Sequence, residues 1–163
     1  MSLTPLGTVH TVIGLVALGA GVVALVRYGA ISMKTRSGML YLVLTLLTAL
    51  TALGIFQHGG FGKPHVLALL TLAALAVGAI AGGTALFGRL GPYVQTFSYS
   101  VTFLFHLIPG FTESLTRLPP SAPIAASADD PMFQVIYPIL AVLFLIGVAI
   151  QLRRLQAAAP AAA

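Results

Sequence analysis

Four histidines, His10, His58, His65 and His106, are the side chains of this 163-residue sequence best suited to chemistry near neutral pH, and the chain contains no cysteine. Imidazole titrates close to neutrality and is the commonest protein ligand for zinc, copper and iron. Two imidazoles on facing helices can also occupy both axial positions of a haem iron. The set therefore supports two cofactor readings. One is haem b ligated by a pair drawn from the four. The other is a bare transition-metal ion, zinc, copper or iron, held by three of them with Glu113 as fourth ligand. Lys63 and Arg117 are placed to pair haem propionates, and Gly14, Gly59, Gly60, Ala68 and Gly110 would leave space beside the histidines for a flat macrocycle. Without cysteine, thiolate zinc sites, iron–sulfur clusters and c-type haem attachment are excluded.

The elements that must hold these side chains are helices in lipid. Charged residues make up 7% of the sequence and hydrophobic ones 58%, with a mean hydropathy of +1.03, against roughly 25% charged in an ordinary soluble domain. Such a chain cannot build a water-facing surface, and its apolar character excludes intrinsic disorder. A membrane-crossing helix needs about 20 apolar residues. Runs free of formal charge cover residues 1–26, 37–62, 64–88, 90–112 and 131–152. The reading is an all-α integral membrane bundle. An up-and-down four-helix core fills residues 1–118, with helices at about 6–27, 38–58, 65–87 and 92–117. A Pro-rich external loop covers 119–131, a fifth membrane helix 132–153, and a low-complexity tail 154–163. The first helix lacks a basic leading segment and is read as retained rather than as a cleaved signal.

Charge placement orients the bundle. Arg27, Lys34, Arg36, Arg89, Arg153 and Arg154 fall on one side, and only Lys63 and Arg117 on the other. The first side is therefore expected to be cytoplasmic, with the N-terminus outside. The net charge of +5 is thus a topology signal and not the basic face of a nucleic-acid-binding module. This topology gathers all four histidines toward the outer face, one from each helix of the core, which is how bundle cofactor sites are built.

Helical phase tests whether they face inward. His10, Gly14, Ala17, Gly21 and Ala24 form one stripe of small residues, as packing faces in lipid do. His65, Ala68, Leu72, Ala76, Ala79 and Gly83 repeat the arrangement on helix three. Thr45, Thr48 and Thr51 make a hydroxyl seam near His58 on helix two. Pro109 is expected to kink helix four beyond His106, and Glu113 to pair with Arg117 at i,i+4. No P-loop, dinucleotide fingerprint or HExxH is present, and no acid lies mid-membrane, which disfavours nucleotide-driven and proton-coupled transport.

The segments HTVIGLVALGAG from His10, GMLY from Gly38, FGKPHVLA from Phe61 and ESLTRLP from Glu113 resemble a bacterial family of four-helix membrane proteins known as a domain of unknown function. The likeness covers about residues 8–119 and leaves the fifth helix outside. The resemblance implies a four-helix bundle in a bacterial inner membrane, with histidines at the equivalents of His10 and His65. It also implies histidines on the inner side before helices two and four, where this chain has Lys34 and Tyr93. It implies no reaction.

The function expected from the residues is a membrane haem- or metal-binding protein exchanging electrons with a quinol or small oxidant at its outer face; no catalytic residue is assigned. The alternative is an accessory subunit of a larger membrane complex, or a homo-oligomer, joined through small-residue helix faces.

Overall fold

Local capping chemistry sets where each helix starts and stops in the computed structural model, which describes residues 4–56 and 60–158. Helix α1 (Pro5–Tyr28) begins where the Thr4 hydroxyl accepts the Gly7 N–H at 3.1 Å, with Pro5 in the first turn, where no amide proton is needed. It ends at Gly29, whose φ of 72° is left-handed backbone suited to glycine. Helix α2 (Arg36–Ala52) is capped by the Thr35 hydroxyl, which accepts from Gly38 N–H at 3.2 Å. Helix α3 (Lys63–Gly83) is followed by a short 3₁₀ turn, Gly88–Leu90, then α4 (Gly91–Arg117) and α5 (Phe133–Ala158).

These elements form an all-helical membrane bundle, without strands among the described residues. Helices α1, α3 and α5 are long and apolar enough to cross a bilayer. Helix α2, with 17 residues, is about 26 Å long at 1.5 Å per residue. Helix α4 is the polar member, burying Thr96, Ser98, Tyr99, Ser100, Thr102 and His106 among the helices packed around it. Sequential helices pack as neighbours, α1 and α4 close the ring, and α5 lies against α4. Cross-helix contacts confirm the up-and-down order. At one end His10 meets Thr51 and Lys63 meets Asp129; at the other Gln95 reaches Gly78 and Arg154 reaches Gly29.

The small stripe of α1 is the packing face its phase predicts: Ala17, Gly21 and Ala24 are buried. A Cβ added at Gly21 would stand 2.8 Å from Tyr41 and 2.9 Å from Phe103, so three helices converge there only because the residue is glycine. On α3 the predicted stripe is correct only at its start. His65 and Ala68 are buried, but Ala76, Ala79 and Gly83 are exposed, and Thr71, Gly78 and Ala81 take the inner positions. The contact line follows i+3 rows and drifts around the helix, because α3 leans on α2's end near His65 and on α4 near Gly78, which sits against the Tyr99 ring.

Boundaries also differ from the sequence reading. Helix α2 ends at Ala52 rather than near residue 58, and α3 ends at Gly83 rather than 87. Helix α4 (Gly91–Arg117) keeps the expected bounds, with Pro109 inside it, while α5 extends to Ala158 into the low-complexity tail. The 119–131 loop, expected to be extended and solvated, folds back on α4: Ala125 is fully buried and its N–H donates to the Leu115 carbonyl at 2.9 Å.

Candidate functional site

Of the four predicted ligands, His58 lies outside the described residues, and the other three occupy distinct settings. His10, near the start of α1, places Nδ1 3.0 Å from Thr51 Oγ1. The Thr51 hydroxyl spends its single proton on a backbone carbonyl, that of Leu47 at 2.8 Å or Thr48 at 3.0 Å. Its oxygen must therefore accept from His10, so Nδ1 carries the imidazole proton and Nε2 keeps a free lone pair.

His106 is buried on α4 and places Nε2 3.1 Å from Thr45 Oγ1. Thr48 and Thr51 each donate back to a carbonyl four residues earlier, whereas Thr45 has no carbonyl partner among the described residues. Nε2 of His106 is therefore engaged with the Thr45 hydroxyl, as acceptor or as donor according to the tautomer. The imidazole also meets the edge of Tyr41, with ring centroids 5.9 Å apart.

His65 serves the start of α3. Its Nδ1 accepts the Gly62 N–H at 3.2 Å in a capping arrangement, and the ring lies between Phe56 and Phe61 at centroid distances of 4.6 and 5.0 Å. With Nδ1 accepting, the proton sits on Nε2, which is buried without a partner. Among the three described histidines, only His10 therefore has its tautomer fixed by its partner with a lone pair left unused.

The remaining predicted residues are engaged with one another. Glu113 Oε2 pairs with Arg117, one turn along α4, and Lys63 pairs with Asp129 at 3.3 Å. No group of three metal-ligating side chains is assembled among the described residues. The space set aside for a macrocycle beside Gly14 and Gly110 is lined by Thr48 at 3.6 Å and Leu18 at 3.7 Å.

The structure adds residues the sequence reading did not single out. Tyr41, fully buried, donates to Thr102 Oγ1 at 2.8 Å, because the Thr102 hydroxyl proton already goes to the Tyr99 carbonyl at 2.7 Å. Farther down α4, Gln95 donates to the Gly78 carbonyl at 3.3 Å, and Ser100 to Gln151 of α5 at 2.7 Å. A line of paired polar groups thus runs from His10 and Thr51 through His106 and Thr45 to Tyr41 and Thr102, inside a bundle whose outer faces are apolar. The signal was present in α4, where Gln95, Tyr99, Thr102 and His106 recur at spacings of four, three and four.

No family model matches the chain, no characterised protein matches it in sequence, and no solved structure matches its fold.

Proposed function

We propose that this membrane protein binds a transition-metal centre, a bare ion or a haem iron, through Nε2 of His10 at the histidine-bearing end of the bundle. One observation carries the reading: Thr51 takes the Nδ1 proton of His10 and holds the ring with its Nε2 lone pair unused. Metal-ligating histidines are commonly oriented in this way by an acceptor on the opposite ring nitrogen. Glu113 is the next ligand, since Arg117 engages its Oε2 and leaves Oε1. The neighbours that line Gly14 and Gly110 favour a bare ion over a macrocycle, which would have to lie against the outside of α1 and α4. A redox-active iron or copper there would exchange electrons with a quinol or small oxidant. By the excess of Lys and Arg at the opposite end, the site faces outward from a bacterial inner membrane, and the N-terminus is external.

The test is elemental analysis and an oxidised-minus-reduced absorption spectrum of protein expressed in metal- and haem-replete medium. Stoichiometric metal that is lost in His10→Ala and kept in His65→Ala is the expected result. A metal-free, colourless wild type, or full metal content in His10→Ala, overturns the proposal.

A second reading, an accessory subunit or homo-oligomer, draws on Gly19 of α1 and Gly147 of α5. Both face open space with no atom within 4 Å of an added Cβ, so another helix could approach closely there. Co-purification of stoichiometric partners in mild detergent, lost in Gly19→Leu or Gly147→Leu, would support it; a lone monomer would count against it.

A further inference from the structure

At the end opposite the histidines, the chain's charges lack partners of their own. The sequence has three acids, all at the histidine end. Glu113 engages Arg117, Asp129 engages Lys63, and Asp130 accepts the backbone N–H groups of Ala126 and Met132. The alternation of helices puts Arg27, Lys34, Arg36, Arg89, Arg153 and Arg154 together at the other end. Two of these cations have neighbours: Arg27 lies over the Tyr28 ring, and Arg154 rests against Gly29 at the carbonyl end of α1. Neither neighbour carries a negative charge, and no acidic side chain of the described residues stands at this end to balance them.

Lys34 and Arg36 differ from the others because they stand over a cleft. Its volume is about 460 Å³, and its wall continues from the two cations through Met33, Met39, Leu40 and Val43. Met39, Leu40 and Val43 are each between 43% and 48% exposed, which makes a bare apolar strip. From Arg36 to Val43 the strip descends about 10 Å along α2 at 1.5 Å per residue. Thr35 contributes no free group, since its hydroxyl accepts from Gly38 N–H and donates to the Ser32 carbonyl.

We propose that this cleft is a binding site for an anionic phospholipid, with the headgroup phosphate between Lys34 and Arg36 and one acyl chain along Met39, Leu40 and Val43. Charge complementarity selects the occupant. A zwitterionic lipid brings its own cation, and a free phosphate leaves the apolar strip uncovered, whereas an anionic lipid satisfies both halves of the cleft. Clustered Lys and Arg at a membrane surface attract anionic lipid, and a guanidinium can engage two phosphate oxygens together.

The experiment is native mass spectrometry of the full chain, released from detergent micelles doped with equal phosphatidylglycerol and phosphatidylcholine. Wild type is expected to retain phosphatidylglycerol preferentially. The Lys34→Gln/Arg36→Gln double variant should lose that preference by about tenfold. Arg89→Gln/Arg153→Gln removes the same charge from the same end and should keep most of it. Circular dichroism of both variants establishes that each is folded before retention is compared. Equal retention of the two lipids by wild type overturns the site. So does an equal loss in both double variants, which would mean diffuse attraction, or displacement of the lipid by millimolar inorganic phosphate, which would mean that the apolar strip contributes nothing.

Discussion

The two ends of the bundle solve the same problem, polar groups in a low-dielectric setting, in opposite directions. At the histidine end the groups turn toward each other, the histidines within the bundle and the ion pairs on its exposed surface. Thr51 holds His10, Thr45 holds His106, Gly62 holds His65, and both cations there have carboxylate partners. At the basic end no acidic side chain of the described residues meets the cations, and Lys34 and Arg36 stand over an apolar cleft. An end whose polar groups are paired internally is fixed by the fold; an end whose charges are not paired is completed by its surroundings. Among the described residues of the histidine end, two acceptors depart from this division, Nε2 of His10 and Oε1 of Glu113.

Removing the place where the paired region stops is the strongest way to break the contrast. Tyr41 is fully buried, meets His106 edge-on, lies against Phe103 and donates to Thr102. Tyr41→Ala should lower stability by about 3 kcal/mol through the cavity it leaves, measured by denaturant unfolding in micelles. Lipid retention at Lys34 and Arg36 should be unchanged under conditions where the variant is folded. A joint loss would show that the two ends are not independent. A smaller effect is expected from Gly78→Val, which forces a side chain into the Tyr99 ring where α3 and α4 cross. Overpacking of this kind costs about 2 kcal/mol, read in the same unfolding assay, and it should leave the His10–Thr51 contact intact.

How much of this was legible in the sequence follows the same division. Charge counts give the helices and the asymmetry of the ends, because each cation is a discrete mark in an apolar chain. Arg27, Lys34 and Arg36 locate a helix boundary wherever they appear. The interior was less legible. Ala76, Ala79 and Gly83 share an ideal helical face with His65, yet the structure exposes them, since the face α3 buries depends on which neighbour it crosses at each level. Thr102, Tyr41 and Gln95 were not legible, because hydroxyl and amide groups show their purpose only when a partner helix supplies the other half of the bond. The histidine layer was visible as a set, but the engagement of His65 with Gly62 and of His106 with Thr45 could be found only from their hydrogen-bond partners.

The smallest structural change bears most directly on function. Thr51→Val keeps the shape of the side chain and deletes the oxygen that accepts from His10. An interhelical hydrogen bond of this kind contributes about 0.6 kcal/mol in a membrane bundle, so unfolding should shift only slightly. Were the contact simply a tie between α1 and α2, nothing further would change. With His10 as a ligand, loss of the group that orients its ring should weaken metal retention by about 10- to 100-fold, read by metal content after graded chelation. Thr45→Val is the matched comparison. It removes a similar bond from His106, which is not the proposed ligand, so it should reproduce the small stability loss and leave retention unchanged. A parallel fall in both variants would place the ligand at His106 or in the bundle's general rigidity, and a fall in neither would reduce the Thr51–His10 contact to packing.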